Sequence, residues 1–166
     1  IDGKLIDLGL LGITNLQHGT FYGLPWATGM IGIDHVPGPT VQQACATSAR
    51  VLQQAAQEVV LGTAKCALLV TADRCSNGPI VYYPDPTAPG GTGHTERWVL
   101  DNFSFDPYAK NAMIDTAENV AKRFGVGTAE MNEVVLRRFA QYQEALADDR
   151  AFQRRYMQEV PITDAG

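Results

Sequence analysis

Residues 40–72 constrain the fold more than any other part of the chain. Between residues 46 and 61 the apolar side chains Ala49, Leu52, Ala55, Ala56, Val59 and Val60 recur at three- and four-residue intervals, with Arg50, Gln53, Gln54, Gln57 and Glu58 between them. That is the period of an α-helix with one buried face. Gly62 follows as a left-handed stop. The continuous apolar run CALLVTA at 66–72 then reads as a strand of the kind buried on both faces, and residues 40–44 precede the helix as a shorter strand. Strand, helix and strand in that order predict a parallel β-α-β unit, hence an α/β fold. Residues 5–13, LIDLGLLGI, predict another buried strand of the sheet. Between these segments Gly and Pro punctuate residues 18–39 and leave room only for a short helix over 27–31.

Downstream, residues 73–111 are rich in Pro, Gly, Tyr, Asp and Thr. A stretch so long and irregular is expected to be a functional or mobile loop. Helical pattern returns at Asp115, with Glu118 as the third-position partner of an N-cap, and runs to Phe124 before Gly125 ends it. Further helices are predicted over 128–147 and 149–158. No internal repeat is present.

Length and charge exclude several classes. At 166 residues and 45% apolar content the chain suffices for a globular domain. The net charge is −5 and the 13 Lys and Arg residues are dispersed, so nucleic acid is a poor partner. No apolar run approaches the roughly 18 residues of a membrane helix, and the start has no signal-peptide organisation, so a soluble, cytoplasmic protein is expected. The chain opens on Ile1 without an initiator Met, which reads as a piece of something longer. Cys45, Cys66 and Cys75 have no Cys-x-x-Cys spacing; neither a disulfide framework nor a metal site is expected, and each is judged as a thiol.

Cys45 falls where a strand gives way to a helix, close to unpaired backbone N–H groups and the positive end of the macrodipole, both of which favour thiolate over thiol. Position alone leaves it equally readable as a small inert hydrophobe. Cys66, at the start of a strand, reads as packing. Cys75 and His94 read as loop surface. Tyr82, Tyr83 and Trp98 read more readily as an aromatic loop anchored on the core than as packing against the arm of a bound ligand. Arg137, Arg138, Arg154 and Arg155 read as solvated helix faces rather than a phosphate clamp.

The wording around Cys45 changes that balance. Val41-Gln42-Gln43-Ala44-Cys45-Ala46-Thr47-Ser48, followed by the Ala- and Gln-rich helix, Gly62 and an apolar strand, resembles the nucleophilic-cysteine segment of thiolases, in the form closest to those of fatty-acid β-oxidation. A second segment, Met113-Ile114-Asp115-Thr116-Ala117-Glu118-Asn119-Val120-Ala121 with Phe124-Gly125-Val126, resembles the thiolase stretch Met-Gly-x-Thr-Ala-Glu-Asn. The strand that follows in the family is echoed by Glu159-Val160-Pro161-Ile162. The chain departs from the family pattern at Ala112, at Ile114 and at Val70-Thr71, where His, Gly and Gly-Gly are usual.

The resemblance implies a thiolase-like layered fold (α-β-α-β-α), here an incomplete N-terminal half plus loop-domain helices. Residues 1–72 would form the β-α-β core with the nucleophile, 73–158 the loop domain and following helices, and 159–166 the truncated start of a further strand. It implies an acyltransferase with Cys45 as nucleophile, its own N–H helping to hold the oxyanion, and Met113 lining the acyl pocket. Coenzyme A enters as substrate, with no permanently bound cofactor. The loop at 73–111 would govern substrate choice. The family's Gly-His-Pro histidine and Cys-x-Gly cysteine have no counterpart here, since His18, His35, His94, Cys66 and Cys75 all lie outside those contexts. The isolated chain is therefore expected to lack turnover, and to need a homodimer, a tetramer or a partner chain supplying the C-terminal half. Two other readings remain open: a non-catalytic CoA-binding or structural protein of the same fold, and a ketoacyl synthase-type condensing enzyme.

Overall fold

A computed structural model of the chain describes residues 1–73 and 78–159. Cys75 and the strand expected over 159–166, Glu159 apart, lie outside the described residues. The chain divides into two compact units, Ile1–Asn111 and Ala112–Gly166.

The first unit is built on a parallel sheet of three strands: β1 (Leu8–Gly12), β2 (Thr40–Val41) and β3 (Ala67–Thr71). The order is β2-β1-β3, with Leu11 opposite Thr40 and Leu8 to Gly12 opposite Ala67 to Thr71. Strands β2 and β3 flank the predicted helix, α2 (Thr47–Val60), and are parallel, but β1 lies between them. Alternation along β1 divides the core. Leu10 packs with Val51 and Ala55 of α2, whereas Leu11 packs with Ile13 and with Leu24 of α1 (Leu24–Met30). Two-residue periodicity thus gives each helix its own face of one strand.

Only the central strand is deeply buried. The run at 66–72 looks in sequence like a strand covered on both faces, yet β3 is half-buried at its start and exposed at Val70 and Thr71. Apolar content reports what a segment tolerates, not which neighbours it has. Gly12 has a positional reason: a Cβ there would lie 2.8 Å from Thr47 Cγ2 and 3.0 Å from Val51 Cγ2, so its absence lets the first turn of α2 sit against β1. Two carboxylates tie β1 to β3. At one end Asp7 accepts from the Lys65 and Cys66 N–H groups, and at the other Asp73 accepts from the Thr14 and Asn15 N–H groups.

The stretch expected to be an irregular loop holds regular structure. Strands β4 (Ile80–Tyr83) and β5 (His94–Arg97) form an antiparallel hairpin with Val81 opposite Glu96 and Tyr83 opposite His94, and α3 (Trp98–Ser104) follows directly. Four-residue strands are too short to register a period in sequence.

The second unit consists of α4 (Met113–Phe124), α5 (Thr128–Ala145) and α6 (Ala147–Arg154). Asp115 is not the N-cap of α4 but its third residue, and its carboxylate accepts from the N–H of the N-cap Ala112 at 3.1 Å. The last helix begins irregularly, because Asp148, Asp149 and Arg150 all have positive φ, between 51° and 61°. None of the three helices contains a buried residue.

Candidate functional site

All three parallel strands end on the same side, and that edge is where ligands enter α/β sheets. Cys45 lies there, in a one-turn 3-10 helix (Ala44–Ala46) that joins the end of β2 to the start of α2. The sequence expectation for its position at a strand-to-helix junction is met. Its side chain is exposed, not packed into the core.

Hydrogen bonds hold the turn from both flanks. The Thr47 hydroxyl donates to the Ala44 carbonyl at 2.7 Å and accepts from the Gln43 N–H at 2.8 Å, and Thr47 itself is buried. The Gln42 side-chain amide donates to the Thr14 carbonyl at 2.7 Å, and Arg50 Nε donates to Gln43 Oε1 at 2.6 Å. Thr14 is in turn fixed by Asp73, which accepts from its N–H at 2.9 Å and from its hydroxyl. The ends of β1, β2 and β3 are thereby locked together around one sulfur. Ala44 takes a φ of 43°, in the left-handed region that L-residues avoid. Such strain persists only where surrounding bonds over-determine it, and the Thr47 and Gln42 contacts supply them.

Two cavities open on Cys45. The smaller, about 220 Å³, runs between the ends of β1 and β3 and the first turn of α2. The larger, about 520 Å³, is walled by Ala44, Trp98, Val99 and Phe103 and carries the carboxylates of Asp73 and Glu96. No Lys, Arg or His side chain among the described residues lines either one. Glu96 is held in place: its Oε2 accepts from the Tyr83 hydroxyl at 2.9 Å and its Oε1 from Asn102 Nδ2 at 2.6 Å. The bond to Glu96 raises the Tyr83 phenol above its ordinary value, with desolvation and the carboxylate charge adding to it.

The other sequence candidates separate. Trp98 lines the larger cavity with Cys45, while Tyr82 and Tyr83 serve the hairpin, Tyr82 by accepting from the Gly93 N–H at 2.9 Å. His94 stacks on Tyr83 with ring centroids 5.1 Å apart, and His18 and His35 are exposed. Cys66 precedes β3, at the opposite edge of the sheet from Cys45, and its N–H donates to Asp7 at 3.0 Å. Met113 opens α4 in the second unit and is 43% exposed. Arg137, Arg138, Arg154 and Arg155 are exposed, Arg154 paired with Asp149. Glu96, Asn102 and Asp73 had no signal in sequence, because each sits in a Pro- and Gly-rich stretch and meets the cysteine only through the fold.

A family description, "Thiolase, N-terminal domain", matches residues 25–164. The 3-ketoacyl-CoA thiolase of Bacillus subtilis (strain 168) is 26% identical over 148 residues, covering 89% of this chain and 33% of that protein. Beta-ketothiolase BktB of Cupriavidus necator is 30% identical over 105 residues, covering 61% of this chain and 26% of that protein. Among solved structures, the acetyl-CoA acetyltransferase from Syntrophomonas wolfei superposes with a TM-score of 0.76 at 25% identity, covering 100% of this chain and 42% of that one. The chain thus spans no more than about a third of the length of the curated relatives it matches.

Proposed function

The chain belongs to the thiolase family, and from that membership we propose that Cys45 is the acyl-accepting nucleophile of an enzyme that cleaves 3-ketoacyl-CoA or condenses acyl-CoAs. The observation that carries this reading is an exposed sulfur, at the mouth of α2, onto which two cavities open. In the degradative direction the Cys45 thiolate attacks the 3-keto carbonyl and a carbon–sulfur bond forms. The bond between C2 and C3 then breaks and the C2 carbanion takes a proton, leaving acetyl-CoA. CoA thiolate next attacks the acyl-enzyme, releasing a shortened acyl-CoA and the free cysteine. Coenzyme A is a substrate throughout. The Cys45 N–H is the proposed oxyanion donor and Met113 the proposed lining of the acyl pocket.

No imidazole among the described residues lines either cavity, so a histidine base of the kind the family uses would have to come from elsewhere. We therefore expect the 166 residues alone to be acylated or alkylated at Cys45 without turning over, and expect a second copy or a partner chain to complete the site. The test is to incubate the full gene product with radiolabelled acyl-CoA and map the labelled peptide. Label on Cys45 that disappears in Cys45→Ala supports the nucleophile. Saturating thioester without retained label would favour the non-catalytic, CoA-binding reading. Turnover by the 166 residues alone would contradict the expected need for an outside base.

A further inference from the structure

We propose that the larger cavity selects acyl chains by charge, with Glu96 as the specificity-determining residue: it admits uncharged chains, favours those bearing a hydroxyl, and rejects those ending in a carboxylate. The inference rests on Cys45 being the acylated residue, since an acyl group bonded to its sulfur must extend into a cavity that opens there. The cavity of about 520 Å³ offers an apolar wall of Ala44, Trp98, Val99 and Phe103, whereas the smaller one is lined largely by Thr and Ser side chains and backbone at the strand ends. A hydrocarbon chain gains by desolvation only in the first.

The charge in that cavity is of one sign. Asp73 and Glu96 both line it and no basic side chain among the described residues does. The two carboxylates differ in availability. Asp73 is engaged by the N–H groups of Thr14 and Asn15 and by the Thr14 hydroxyl. Among the described residues Glu96 accepts one hydrogen bond at each oxygen, from Tyr83 and from Asn102. A carboxylate oxygen accepts two, so Glu96 has acceptor sites left for a donor on the ligand. Its position is also fixed. Tyr83 and Glu96 sit on facing strands of the hairpin, and Asn102 on the helix that follows directly, so the carboxylate is carried by regular structure. A further carboxylate brought into this cavity would meet like charge from Glu96 and Asp73, with no basic side chain among the described residues to offset it.

The test compares three six-carbon thioesters on the full gene product: hexanoyl-CoA, 6-hydroxyhexanoyl-CoA and adipoyl-CoA. In each, the Cys45 sulfur bonds to the thioester carbonyl carbon, the bond from that carbon to the CoA sulfur breaks, and the thiol proton leaves with the CoA thiolate. The readout is the rate of mass gain at Cys45. Adipoyl labelling at least about tenfold slower than hexanoyl is expected, with 6-hydroxyhexanoyl faster than hexanoyl; 6-hydroxyhexanoyl no faster than hexanoyl overturns the hydroxyl preference. In Glu96→Gln the adipoyl-to-hexanoyl ratio should rise several-fold, because the amide keeps the shape and removes the Glu96 charge while that of Asp73 remains. Equal labelling by adipoyl and hexanoyl in the unsubstituted protein, which needs no variant to fold, overturns the inference and leaves the nucleophile intact. An unchanged ratio in a folded Glu96→Gln protein also overturns it. No label from any of the three overturns both the nucleophile and the selectivity that depends on it.

Discussion

At Ala44 a φ of 43° brings the Cβ of an L-residue against its own carbonyl, a conformation that costs roughly 1–2 kcal/mol. Glycine removes that cost but adds backbone freedom to the unfolded chain, worth about 0.5–1 kcal/mol. Ala44→Gly is therefore expected to leave stability unchanged or raise it by up to about 1.5 kcal/mol in urea unfolding, while slowing alkylation of Cys45 by iodoacetamide because the turn is less rigid. A clear loss of stability would mean that the turn is not strained. At the opposite edge of the sheet, Asp7 is held below its ordinary 3.8 by the Cys66 and then the Lys65 N–H groups that donate to it. A carboxylate whose pKa is depressed by folding stabilises the fold above its unfolded value. That contribution is lost as pH falls through the folded value. The Asp7 part of acid destabilisation thus lies below about pH 4. Asp85 and Asp106, lowered chiefly by Thr87 and by the Ala109 and Tyr108 N–H groups respectively, act in the same window. Asp7→Asn should flatten stability against pH in that range. Alkylation of Cys45, a sheet's length away, should not change.

The junction of β1 with α2 decides where the cysteine goes. Leu10, Val51 and Ala55 form the packed contact, and Gly12 sets the approach of the first turn, which Thr47 connects to the cysteine loop. Gly12→Ala places a Cβ 2.8 Å from Thr47 Cγ2, so the helix start must shift. A loss of about 1–3 kcal/mol in the denaturant midpoint is expected, together with a changed alkylation rate at Cys45. Loss of stability with an unaltered rate would show that the helix start does not position the sulfur. The hairpin of β4 and β5 plays the corresponding part for Glu96, since pairing Val81 with Glu96 and Tyr83 with His94 orients the strand that carries it.

At the scale of the molecule, large apolar side chains are exposed among the described residues. Helices α4, α5 and α6 bury no residue, and Val135, Leu136 and Phe139 are each at least 60% exposed. Burying such side chains fully is worth about 1.5–3 kcal/mol each, and patches of this kind mark interaction surfaces. The 166 residues are expected to self-associate or to require a partner chain, visible in size-exclusion chromatography as a species larger than 18.0 kDa or as binding of a hydrophobic dye. A dye-silent monomer would count against this. Among the described residues no helix is long and apolar enough to cross a membrane.

Local sequence was sufficient for whatever depends on local free energy. The three-four spacing after residue 46, the stop at Gly62 and the apolar run at 66–72 determined the helix, its end and the strand beyond it. Together with the Ala-Cys-Ala-Thr-Ser wording, they placed Cys45 at a strand-to-helix junction and pointed to the family that the comparisons support. Pairing between distant segments was decided only by the fold. Insertion of β1 between β2 and β3, the hairpin inside 73–111, and the meeting of Asp73, Glu96 and Trp98 around the sulfur all rest on contacts between residues far apart in the chain. Periodicity within a window measures a segment's preference for a face. It carries no information on which other segment will cover that face, and the cavity at Cys45 is made of such coverings.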